Sequence, residues 1–119
     1  LSASIIDLAS TGTASFGYFG GGGHYGGPSN TSTVDRIDYS NDTATASPKG
    51  PLSIVRNRGA ATGNSSFGYF GGRYPADTTV DRIDYSNDTA TASAKGFLTL
   101  ASGGHNLAAT SAAANALPQ

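Results

Sequence analysis

Short stretches of alternating apolar and polar residues, separated by clusters of Gly, Asn, Asp and Ser, run through most of the chain. In residues 79–85 (TVDRIDY) the period is two, so a strand would place Arg82 with Asp84 on one face and Ile83 with Tyr85 on the other. Residues 33–39 repeat the pattern, with Arg36 and Asp38 opposite Ile37 and Tyr39. Two further strands are predicted over 66–70 and 59–64, and a fourth over 89–93. Ser86-Asn87-Asp88 reads as a turn, because Asn and Asp side chains mimic backbone turns. Strands this short, parted by turn residues about every 8–12 positions, describe an antiparallel meander and not a helical fold.

The meander occurs twice. Residues 33–47 and 79–93 are identical over fifteen positions at an offset of 46, and SFGYFGG recurs at 15–21 and 66–72 at an offset of 51. The second-to-third strand loop therefore differs in length between the copies. Residues 1–50 form the first repeat and 51–98 the second. Residues 99–119 hold the opening strand of a third, at 106–110, and a tail. A tandem period near 50 residues is the mark of stacked or radial repeats, of which four-stranded propeller blades are one solution.

These motifs resemble the kelch-type β-propeller repeat. Gly20-Gly21 and Gly71-Gly72 match its Gly pair after an aromatic strand, and Tyr39 and Tyr85 match the aromatic that ends the next strand. The kelch tryptophan of the fourth strand is missing; Ala46 and Ala92 lie near its place, which implies thinner blades. GYFGG followed by TVDRIDYSNDTATAS also resembles repeat-bearing tail-fibre and virion proteins of marine tailed phages. The resemblance implies an all-β fold of kelch-like, four-stranded antiparallel blades. Two blades do not close a ring, since propellers need about four to eight. Closure is expected from other chains or from sequence beyond this segment, for a chain that opens on Leu1 is expected to be part of something longer.

Composition narrows the function classes. A formal charge of −1 gives no electrostatic case for binding nucleic acid or an acidic membrane. No apolar run approaches the ~18 residues of a membrane helix. With no Cys, disulfides and thiolate metal sites are ruled out, as is the Cys-modified Tyr of galactose-oxidase-type propellers.

Candidate chemistry is sparse. The run Gly20–Gly23 lacks the Lys and helix start of a phosphate loop, so Gly20, Gly21, Gly71 and Gly72 read as structural. Carboxylates beside Arg36 and Arg82 read as ion pairs tying neighbouring blades; the Arg should hold both carboxyls low, against general acid–base work. Asp38, Asn41 and Asp42 lack the spacing of a calcium loop. His24 and His105 stand alone, so no metal or other cofactor is expected. Asn30, Asn41, Asn64 and Asn87 head N-x-Ser/Thr sequons, two of them inherited through the duplication.

The unequal loops supply the ligand-binding candidates: His24 and Tyr25 in the first copy, Arg73 and Tyr74 in the second. Tyr offers a stacking face and a hydroxyl suited to sugars or proteins. The chain is thus expected to be a non-enzymatic structural or recognition subunit of an extracellular or virion assembly, such as a tail fibre or appendage. It would self-associate as a trimer or a filament and present loops to cell-surface glycan. A kelch-like protein–protein scaffold and a glycosylated extracellular filament are the alternatives, and a glycan-directed enzyme ranks third.

Overall fold

The computed structural model describes residues 4–24, 26, 29–75, 77–99 and 109. The fold is all-β: of the described residues 46% are in strands or bridges and 3% are helical, in open antiparallel sheets. In the first repeat, β1 (Ile5–Ile6) pairs with β4 (Gly23–His24), while β2 (Ala9–Gly12), β3 (Phe16–Gly20), β5 (Val34–Asp38) and β6 (Ser47–Pro48) form a four-stranded meander. In the second, β7 (Ala60–Gly63), β8 (Phe67–Gly71), β9 (Thr79–Asp84) and β10 (Ser93–Phe97) form the matching meander. The registers correspond: Tyr18 lies opposite Arg36 and Gly17 opposite Ile37, as Tyr69 lies opposite Arg82 and Gly68 opposite Ile83.

Three of the four predicted strands per repeat form close to their expected places; the fourth forms later. Instead of 89–93, the last strand of the second repeat begins at Ser93. Asp84 caps a 3-10 turn over Tyr85–Asn87, and the N–H of Ala90 donates to the carbonyl of Asn87 at 3.2 Å, so the turn runs on through the Thr/Ala stretch. That stretch then bonds sideways to the connection between repeats: Gly50 N–H donates to Asp88 O and Ala92 N–H to Pro51 O, both at 2.8 Å. A backbone engaged there is not free to join the sheet. The opening strand expected at 106–110 lies outside the described residues apart from Ala109.

The core lies between the two meanders. Tyr18, Val34, Leu52, Phe70, Ile83 and Ala92 pack into one buried cluster, with Ala9, Phe16, Ala61 and Tyr85 at its margin. Ala46 and Ala92, at the positions where a Trp would have been expected, are buried at 5% and 6% exposure.

The Gly pairs after the aromatic strands turn the chain. Gly21 and Gly72 have φ of 72° and 81°, a left-handed conformation that a side chain disfavours. A Cβ on Gly21 would also stand 2.8 Å from the carbonyl oxygen of Arg56.

Candidate functional site

Two groups of residues carry chemistry: the junction between the repeats, and the loops at one end of it. At the junction, residues that face each other across an antiparallel pair share a face. One face of the first repeat holds Thr11, Tyr18, Val34 and Arg36. It meets the face of the second repeat that holds Gly68, Phe70, Asp81 and Ile83, the opposite face of the meander.

The rings of Tyr18 and Tyr85 stack with centroids 4.8 Å apart, and the Thr11 and Tyr85 hydroxyls are 3.0 Å apart. Tyr85 can lie flat because Gly68 has no side chain; a Cβ there would stand 2.7 Å from the Tyr85 hydroxyl and 2.7 Å from Thr11 Cγ2.

Asp88 is the electrostatic centre. Its carboxylate accepts from Arg36 Nη1 at 2.7 Å and from the Tyr18 hydroxyl at 2.9 Å, and Lys49 Nζ lies 3.7 Å away. Arg36 also sits 4.3 Å above the Phe16 ring. Burial, then the bond to Asp88, pushes the Tyr18 phenol up to about 12. Arg36 is held above its ordinary value; its burial works against this, and its bonds to Tyr18 and Asp88 outweigh it.

A second buried pair anchors the connection. Arg56, 3% exposed, donates from Nε to Asp81 at 3.3 Å and from Nη1 to the carbonyl of Gly72 at 3.1 Å. Asp81 also accepts from the backbone N–H and the hydroxyl of Ser53.

The sequence placed blade-tying ion pairs at the Arg-flanking carboxylates. The partner of Arg36 is instead Asp88, a turn residue of the other repeat. Asp38 and Asp84 accept from the hydroxyl and N–H of Ser40 and Ser86. Those serine bonds come first in holding both carboxyls below the usual range, with the neighbouring Arg a smaller influence. Asp88, Tyr18, Lys49 and Arg56 were not singled out from sequence. The exact identity of a turn Asp in both copies was the available signal, since a solvated turn does not require it.

At the loop end, His24 is exposed in β4, opposite Ile5. Tyr25 lies outside the described residues. Arg73 is half-buried, and Tyr74 is 49% exposed with the Arg58 guanidinium 5.3 Å from its ring centre. Arg58 also reaches Asp7 at 3.3 Å. Both loops bond to the same connection: Gly22 N–H to Arg56 O, and Tyr74 N–H to Asn57 O.

Of the sequon residues, Asn41, Asn64 and Asn87 are exposed and Asn30 is half-buried. The Asn64 side-chain oxygen caps the hairpin by accepting from the N–H groups of Ser66 and Phe67, both at 2.8 Å. His105 is not among the described residues, and among those that are, no cluster of three metal-ligating side chains occurs.

Compared with known families and with curated proteins, the chain matches no family model and no curated sequence.

Proposed function

We propose that this chain is a non-enzymatic structural and recognition subunit of an extracellular or virion assembly, built from kelch-like blades and holding out its loops to surface glycan. The observation that carries the reading is the division of labour in the fold. Charged and aromatic groups of the meanders are used to lock one blade on the next, while the loop end presents Tyr74 with its ring half exposed. A rigid scaffold with an aromatic loop suits sugar stacking. Asp38 and Asp84, the carboxylates on the strands beside Arg36 and Arg82, are held low by their serines, which favours binding over turnover at those positions.

A glycan array probed with the whole chain tests this. Tyr74→Ala should lose about tenfold or more in binding, as expected for an aromatic anchor, with an unchanged thermal melt. Binding equal to the parent would contradict the reading.

The exposure of Asn41, Asn64 and Asn87 favours a second reading, a glycosylated filament subunit. Peptides of the natural material that contain Asn41, Asn64 or Asn87 should then carry the added mass of sugar. Bare peptides at all three would remove that reading.

A further inference from the structure

The junction inside the chain joins two unlike faces, and each repeat carries both. Thr11, Tyr18, Arg36 and Lys49 of the first repeat have counterparts Thr62, Tyr69, Arg82 and Lys95 in the second. Gly68, Phe70, Tyr85 and Asp88 have counterparts Gly17, Phe19, Tyr39 and Asp42 in the first. One set of each kind is packed at the junction, and the other set lies on the two outer faces of the pair.

The outward sets keep the internal geometry. Arg82 sits 4.3 Å above Phe67, as Arg36 sits 4.3 Å above Phe16. Tyr39 lies across Gly17 as Tyr85 lies across Gly68. Beside Arg82 opens a groove of about 150 Å³, lined by Arg82, Asp84, Asn87, Thr91, Ala92 and Ser93. In the first repeat the guanidinium on the corresponding ground, Arg36, holds Asp88. Among the described residues no carboxylate comes within ion-pair distance of Arg82, whose influence on Asp84 is small, and no cation within that distance of the exposed Asp42. Phe97, the counterpart of Pro51 at the offset of 46, is 74% exposed.

We propose that the occupant of this face is a second copy of the chain, which docks its first repeat there and makes the internal junction again between molecules. Asp42 of the second copy seats on Arg82 and Lys95, its Tyr39 stacks on Tyr69, and its Phe19 packs beside Gly71. The chemistry required of the occupant is an acid, a tyrosine and a phenylalanine in fixed register on a strand meander. Residues 100–119 of the chain contain no Asp, Tyr or Phe, so they do not supply it.

Because the faces are unlike, the contact is heterologous and repeats until it closes on itself or continues as a filament. Two blades per chain would let rings of two to four chains reach the about four to eight blades that propellers use. This rests on the self-association part of the reading above and not on its glycan part.

Sedimentation velocity over a wide dilution series tests it, with the parent chain, Arg82→Glu and Asp42→Lys. The parent should associate reversibly. Each variant alone should associate about tenfold or more weakly, since each meets a like charge. An equimolar mixture should regain association, because it restores opposite charges at every junction. A closed ring and an open ladder of species both support the junction. A parent that stays monomeric at all concentrations, or a variant that associates like the parent, overturns it. Glycan binding by the monomeric variants reports separately on the recognition reading.

Discussion

The tyrosine-bearing face of the first repeat and the same face of the second carry the same residues and live in different surroundings. Tyr18 is 1% exposed and bonded to a carboxylate, whereas Tyr69 is half-buried. The opposite faces differ in the same way: Phe70 is 1% exposed and Asp88 7%, while Phe19 is half-buried and Asp42 exposed. Sequence is held constant over the residues of the two exact copies, 15–21 with 66–72 and 33–47 with 79–93, so for them the neighbour creates the difference. The duplication thus provides an internal control for the junction residues that lie in those copies.

Truncation of Phe70 should give the largest contrast. Phe70→Ala empties the centre of the core and should cost about 3–5 kcal/mol in urea unfolding. Phe19→Ala, at the open end, should cost less than half as much in a monomeric background. Equal costs would mean that the inter-repeat core does not hold the fold together.

Next comes the acid. Asp88→Ala leaves Arg36 and Lys49 facing each other with no anion between them, and should cost about 2 kcal/mol. The value falls below that of a fully buried pair because the Arg36 side chain keeps 26% exposure. Asp42→Ala should stay within about 0.5 kcal/mol of the parent in monomer.

The Gly50 and Gly96 pair sharpens the comparison by addition. A Cβ on Gly50 would overlap the backbone of Ala90, while one on Gly96 meets nothing within 4 Å. Gly50→Ala should therefore destabilise by about 1–3 kcal/mol, and Gly96→Ala should not.

The narrowest effect, confined to alkaline solution, is on pH dependence. Tyr18 ionises near 12 when folded against an ordinary value of 10.0, so the neutral phenol favours the folded state. Its contribution is complete below pH 10 and is lost as pH rises from about 10 towards 12. Tyr18→Phe should flatten that alkaline limb in pH-dependent thermal melts; an unchanged limb would remove Tyr18 as its source.

Much of this architecture was legible in the chain. The period-two pattern of TVDRIDY and the aromatic run closed by Gly-Gly gave the strands, and the fifteen-residue identity gave two like sheets. The fourth strand was misplaced because Thr and Ala at 89–93 suit a strand on their own. Their backbone partners, Gly50 and Pro51, come from a distant segment that no local rule connects to them. The ion pair that ties the repeats through Arg36 was expected, but its partner was missed for the same reason. Local spacing set Arg36 beside Asp38, but its bond is to Asp88, 52 residues away. Alternation shows that two faces exist; which face meets which is a property of the packed pair.

Oxidative cross-linking between two single-cysteine chains tests the central claim most directly, since the parent has no Cys. Inside the chain, the Ala92 N–H donates to the Pro51 carbonyl at 2.8 Å, which sets the two backbones side by side and within the reach of a disulfide. The intermolecular counterparts are Phe97, 74% exposed, on one copy and Ala46 on the next. A mixture of the Phe97→Cys and Ala46→Cys chains should form a covalent heterodimer rapidly, and neither chain should do so with itself. No heterodimer, or equal self-linking by each chain alone, would contradict the account.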